Sequence, residues 1–386
     1  MSFYYKQGNL PKKKHTTFYK EDGISLYREE LVSTKGFSGV YTNKYHYDMP
    51  TKTLSYSELE SLPEDKWENA PLAHFHFPTD KLKKEGDFFT SRIPYLHNDK
   101  CTIYAARPNS NPNYFYKNAY SAEYIFVHRG SGEFRSDYGV LQFEAGDQIV
   151  VPHGTIYQMF FDSFDDNKLL IVESISAFEI PKHFRNEYGQ LEEHAPYEER
   201  DFKLPLLSNS TDEKGEYKIL IKAGKRLFEY IQPHHPFDLV GWDGFLYPFA
   251  FNIKNYNPKV GRIHLPPPVH LVFTTEQFVL CNFNPRPFDW HENSIPAPYY
   301  HSNIESAEML YYIEGDFMSR KGVSSGSVTL HPMGIPHGPQ PGKTEASIGT
   351  KSTSEYAVMV DTFEPLYPTL NVKECMDENY PYSWLE

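Results

Sequence analysis

Residues 297–342 read APYYHSNIESAEMLYYIEGDFMSRKGVSSGSVTLHPMGIPHGPQPG, and the spacing within them decides the fold. His301 and Asn303 are two apart; four residues then lead to Glu308, and six more to Gly315. A second set follows: Gly326, five residues, Pro332, one residue, Gly334, two residues, His337. Side chains alternate faces along a strand, so His301 and Asn303 share one face. Gly315 and Gly326 stand where the chain must turn, and Pro332-Met333-Gly334 marks the next turn. That last turn aims His337 back at the first hairpin. The spacing predicts two antiparallel hairpins closing a small barrel, with His301, Glu308 and His337 converging inside it. Glu305 competes for the carboxylate role, but seven residues beyond it stands Tyr312 rather than a turn glycine, which favours Glu308.

This is the spacing of a cupin barrel, with Asn303 where the pattern has a second histidine. The substitution bears on the metal. Three imidazoles and a carboxylate would not point to one ion. Two imidazoles and one carboxylate, with coordination positions left open, are the donor set of non-haem Fe(II) oxygenases, so Fe(II) is the expected cofactor.

Residues 110–180 repeat the outline. Glu123, six residues and Gly130 match the first hairpin; Gly146, five residues, Pro152-x-Gly154, two residues and Tyr157 match the second. The ligand positions here have decayed to Asn118, Tyr120 and Tyr157, and Glu123 alone will not hold iron. The chain therefore reads as an internally duplicated, mainly β bicupin. Residues 1–255 form an N-terminal β domain containing a degenerate, metal-free cupin at about 110–180, and residues 256–386 a C-terminal cupin with the metal site. The polar stretch 185–235 reads as a surface connection between the barrels.

Composition agrees. The 386 residues include 30 Tyr, 28 Phe and 30 Pro, which suits short strands joined by turns. Helical periodicity is confined to short pieces such as Ser55 to Leu62. A net charge of -13 argues against nucleic acid or an anionic membrane as partner, and the run Lys12-Lys13-Lys14 is too short to reverse it. Cys101, Cys281 and Cys375 are too few and too scattered for a disulfide framework. The N-terminus lacks the apolar core of a signal peptide, and no apolar run approaches a membrane span. A cytoplasmic, reduced protein is expected. His74-Phe75-His76 offers a second alternating pair, but no Glu and Gly follow it at cupin spacing. His234-His235 is adjacent, so its side chains point to opposite faces of a strand. His264, flanked by Ile263 and Pro266-Pro267-Pro268, is the upstream histidine that a loop can carry over a metal site.

Several runs together resemble the homogentisate 1,2-dioxygenase family: HPMGIPHGPQPGKTEASIG (331–349), YAVMVDTFEPLYPT (356–369) and YPYSW (380–384). PYYHSN (298–303), VGWDGFLYPF (240–249) and YREELVSTKGFSGVYTNKY (27–45) extend the likeness. It is dense over roughly the last 150 residues and thin between 45 and 120. The resemblance implies an Fe(II) enzyme of tyrosine and phenylalanine breakdown that opens the homogentisate ring with O2 to give maleylacetoacetate. It implies iron on His301, Glu308 and His337, an active-site histidine at His264 and a histidine beyond the ligands at His331. It also implies a homo-oligomer, trimers paired into hexamers. Ser302, Phe317 and Arg320 stand where the family has Arg, Tyr and Lys, and the interval from His301 to Glu308 is one residue longer. Arg320 is then the candidate partner of a substrate carboxylate. Tyr300 either lines the pocket or packs. A gentisate-like bicupin dioxygenase and a non-oxygenase metal cupin are the alternative readings.

Overall fold

The computed structural model describes residues 3–59, 61–62 and 65–385. Its frame is an eight-stranded sheet whose strands include Cys101–Ala106, Ala122–Arg129, Asp147–Val151 and Lys168–Ser174. These segments are almost continuously apolar because both faces of the sheet are covered. On Ala122–Arg129, Ile125 and Val127 pack with Phe134, Leu141 and Met159 of a seven-stranded sheet. Tyr124 and Phe126, on the opposite face, pack with Met309, Tyr311, Leu330 and Val360 of a six-stranded sheet. Strand alternation thus sends one segment into two cores. The result is a bicupin: the first barrel lies between the seven- and eight-stranded sheets, and the second is built on the six-stranded one.

Antiparallel pairing in the six-stranded sheet sets the position of the site. Ala307–Glu314 lies between Val328–His331 and Tyr356–Thr362, with Glu308 opposite His331 on one side and Asp361 on the other. Met309 and Tyr311 face the shared core, so Glu308 faces away from it, into the second barrel. Gly315 ends this strand at φ +101°, and a Cβ there would lie 2.4 Å from the carbonyl oxygen of Ser354. Only glycine fits that turn.

Two strands cross the division expected near residue 255. Phe75–Phe77 pairs with Val328–His331, and Tyr367–Pro368 pairs with Ile93–His97 of the eight-stranded sheet.

Two expectations need correction. Ser55–Glu58 is a strand, not a helical piece; it pairs with Arg226–His234, and Tyr56 stacks on Tyr230 at 5.6 Å. The cross-strand aromatic pair outweighs a weak local helical pattern. Residues 185–235 are more than a connection. Lys214–Ala223 and Arg226–His234 form a hairpin, and its first strand runs parallel to Phe115–Asn118. The apolar run Ile219-Leu220-Ile221 inside a charged strand explains it, with Ile219 and Leu220 buried against the first barrel.

Candidate metal centre

His301 and His337 lie on different segments held together by their backbones. The amide of each donates to the carbonyl of the other at 2.9 Å, and Gly334 donates to Asn303 at 2.8 Å. This closes the loop around Pro332–Gly334 onto the first hairpin, as the spacing requires. Gly338 lets the chain pass: a Cβ there would meet Tyr300 atoms at 2.7 and 2.8 Å.

Each imidazole is fixed by a carbonyl two residues earlier. Nδ1 of His301 donates to Tyr299 O and Nδ1 of His337 donates to Ile335 O, both at 3.1 Å. That assignment leaves both Nε2 lone pairs directed at Glu308: His301 Nε2 is 3.6 Å from Oε2 and His337 Nε2 is 3.4 Å from Oε1. A ligating histidine is normally held by its other nitrogen in this manner. Ligand atoms of His301, Glu308 and His337 all fall within 4.8 Å of one another. Glu305, the competing carboxylate, is exposed.

The donor set fits a metal ion. Nε2 of His337 is buried with no hydrogen-bond partner, a state that costs about 1–3 kcal/mol in a metal-free protein. Burial pushes the Glu308 carboxyl up, but the imidazoles of His301, His331 and His337 gathered around it outweigh burial and hold the group well below the usual carboxylate range. Burial and the neighbouring Glu308 charge push the Asp361 carboxyl well up, with His301 opposing. His301 is the partly open side of the cluster, while Glu308 and His337 are buried.

The other expected residues separate into two groups. His331 has no exposed surface; Nδ1 is 2.7 Å from Glu308 Oε1 and Nε2 is 3.2 Å from the Tyr380 hydroxyl. Arg320 is also buried, donating through Nη1 to Gly338 O and lying over the Trp384 ring, with Nε unpartnered. His264 sits outside on its loop, 3.5 Å from Asp289, its ring 5.4 Å from that of Tyr299, which is in turn 6.0 Å from His301. Tyr300 is exposed beside Gly338.

His74, set aside in the sequence because no Glu and Gly follow it at cupin spacing, and Trp384 complete the floor. His74 places its ring 5.3 Å from His331 and 5.9 Å from His337, and its Nε2 donates to Pro336 O at 3.1 Å. Trp384 donates to Gly338 O at 3.1 Å and packs on His74 at 5.1 Å. The alternating pair His74-Phe75-His76 and the run YPYSW mark both residues in the sequence, but only strand pairing across more than 200 residues and the folded-back chain end bring them to this site.

In the first barrel, Glu123 and Tyr157 occupy the positions of Glu308 and His337. The Arg92 guanidinium lies between them, donating to Glu123 at 2.6 Å and to the Tyr157 hydroxyl at 3.1 Å. Tyr157 donates to the other Glu123 oxygen at 2.7 Å. Asn118 and Arg92 both donate to Glu173, which Lys222 also pairs, while Tyr120 is exposed.

Two β-barrels, with two imidazoles and a carboxylate converging in one of them, define a bicupin with one candidate metal site. The N-terminal homogentisate 1,2-dioxygenase pattern matches residues 94–253 and the C-terminal pattern residues 262–386. The chain belongs to the homogentisate 1,2-dioxygenase family, a family of metal-dependent dioxygenases acting on an aromatic substrate and O2. A Saccharolobus solfataricus protein with the provisional dioxygenase name SSO1533 is 42% identical over 100% of this chain and 99% of its own. Homogentisate 1,2-dioxygenase of Nitrobacter hamburgensis is 26% identical over 88% of this chain and 75% of its own. That of Bradyrhizobium diazoefficiens is 25% identical over 93% and 86%. Among solved structures, a cupin 2 conserved barrel domain protein from Leptotrichia buccalis aligns at TM-score 0.35 and 10% identity, over 79% of this chain and 100% of that one. Among the described residues, no helix is long and apolar enough to cross a membrane.

Proposed function

We propose that this chain is an Fe(II)-dependent ring-cleaving dioxygenase that opens homogentisate with O2 to give maleylacetoacetate. The observation that carries this reading is the convergence of His301, Glu308 and His337 within 4.8 Å, in a chain of this family. Two nitrogens and one carboxylate oxygen are the donor set suited to ferrous iron with open positions. Ferrous iron held there supplies the path by which electron density passes from the aromatic ring to O2.

The chain's own residues do the rest. His264, whose Nδ1 lies 3.5 Å from Asp289, is the base that takes the phenolic proton of an entering substrate. Arg320 turns a guanidinium edge toward the substrate carboxylate; its buried, unpartnered Nε supports that role. His331 holds the Glu308 carboxylate from below. Tyr300 lines the entrance beside Gly338. In the first barrel Arg92 fills the place between Glu123 and Tyr157, which supports one metal per chain, in the second barrel. Exposed apolar side chains in the loops before the site, among them Trp290, Ile295, Tyr299 and Tyr300, support a homo-oligomer, trimer or hexamer.

The test is turnover of homogentisate under ¹⁸O2 by Fe(II)-loaded protein. Mass spectrometry should find label from O2 in the ring-opened product, one atom held in the new carboxylate and a second in the new ketone before it exchanges with water; a product carrying none sinks the reading.

A further inference from the structure

One transverse row of the six-stranded sheet carries three polar groups: His331, Glu308 and Asp361 are neighbours on adjacent strands, with Val279 next in line. The next row, Leu330, Met309, Val360 and Leu280, points into the shared apolar core. Alternation therefore turns Asp361 to the same face as Glu308, into the second barrel.

The two carboxyls in that row are served differently. Glu308 has the imidazoles of His301, His331 and His337 around it. Oδ1 of Asp361 is buried and has no hydrogen-bond partner. An unpaired buried oxygen of this kind is rare and demands a donor. Asp361 also lies outside the set of atoms that converge within 4.8 Å, so it is placed beside the metal site and not in it.

We infer that Asp361 holds a hydroxyl group beside Glu308: its Oδ1 accepts a hydrogen bond from a bound water or from the phenolic hydroxyl of the substrate. This rests on the function proposed above. The choice of donor follows from charge. A substrate carboxylate has no hydrogen to give Oδ1 and is repelled by the Glu308 charge beside it, so the anionic end of the substrate points away and its hydroxyl end points toward Asp361. Together with Arg320, Asp361 makes the pocket polar end to end and fixes which way the ring enters.

The experiment uses full-length protein loaded with Co(II) under nitrogen, comparing wild type, Asp361→Asn and Asp361→Ala. Visible spectra are taken without and with homogentisate, and KM and kcat are measured on the Fe(II)-loaded forms. All three should bind one metal with the same unfolding midpoint. If water is the donor, the substrate-free spectrum changes in Asp361→Ala and returns toward wild type in Asp361→Asn, whose amide oxygen still accepts. If the substrate is the donor, the free spectrum stays unchanged and KM rises about tenfold or more in Asp361→Ala, less in Asp361→Asn. Either result supports the inference. Wild-type spectra in both states together with a wild-type KM in Asp361→Ala overturn it, as does loss of metal in Asp361→Asn, which would make Asp361 a ligand. Should wild type consume no O2 with homogentisate, the proposed function fails while the cobalt spectra still decide the role of Asp361.

Discussion

Nδ1 of His331 lies 2.7 Å from Oε1 of Glu308, and the other nitrogen of the same ring lies 3.2 Å from the Tyr380 hydroxyl. Burial drives this imidazole down to about 3, against the pull of the Glu308 carboxylate, so it is neutral near pH 7. Burial likewise keeps Tyr380 protonated. The tyrosine donates to Nε2, and the Nδ1 proton is thereby committed to Glu308. One carboxylate oxygen is pinned while the other faces His301.

His331→Phe should therefore weaken metal binding without abolishing it. Partners of this kind are worth about 10–100-fold in metal affinity. Competition with a metal buffer checks this; unchanged affinity would make His331 a packing residue.

Glu308→Ala should lose the metal altogether, since it removes the only carboxylate of the converging set. Arg92→Met should retain one metal per chain yet lower the midpoint of urea unfolding, because Glu123 and Glu173 lose a buried counter-charge. Breaking such a pair costs about 3–5 kcal/mol. Two irons per wild-type chain, or an Arg92→Met variant as stable as wild type, would contradict this.

The contrast between these two clusters marks what could be read in the chain beforehand. His301, Glu308 and His337 sit within one hairpin pair, so their spacing encodes their meeting. The decay at Asn118 and Tyr157 was equally local. Arg92 was not legible, because it enters the first barrel from the turn before Ile93–His97 rather than from a cupin position. His74 and Trp384 reach the second barrel through pairing of Phe75–Phe77 and the folded-back end of the chain, contacts with no periodic signature. Ser55 to Leu62 misled because local periodicity in a short polar segment is weaker than pairing with a distant hairpin.

His264→Phe should keep its metal and lose most turnover, about 10²–10⁴-fold, the usual contribution of a positioned general base. Asp289→Ala should lower turnover in the same direction, since it removes the carboxylate 3.5 Å from Nδ1 of His264. Steady-state O2 uptake with metal content as control tests both; normal turnover in His264→Phe returns the residue to the surface loop.

Alkaline stability should depend on His46, whose Nδ1 is 2.6 Å from Asp238 and Nε2 3.1 Å from Glu30. Burial alone would lower this imidazole, but the two carboxylates overcome it and hold it at about 9. The folded value lies above the unfolded value of about 6.5, so the folded chain binds the extra proton. The stability contributed is complete below about pH 6.5 and is lost as pH rises through about 9, at up to about 1.4 kcal/mol per pH unit. Urea midpoints should fall from pH 7 to 9 in wild type and fall less steeply in His46→Gln. Parallel profiles would refute the assignment.

The central claim is tested most directly by O2 uptake of anaerobically Fe(II)-loaded protein, with homogentisate and gentisate, for wild type and Arg320→Met. Gentisate carries its carboxylate on the ring, where it can reach the metal itself; homogentisate carries it one methylene out and needs a protein cation. A charge-assisted hydrogen bond is worth about 1.5–3 kcal/mol, so Arg320→Met should raise KM for homogentisate by about ten- to hundredfold and affect gentisate less. Wild type should consume one O2 per homogentisate and prefer it to gentisate. Preference for gentisate, or no O2 uptake with homogentisate at full iron loading, would contradict the account.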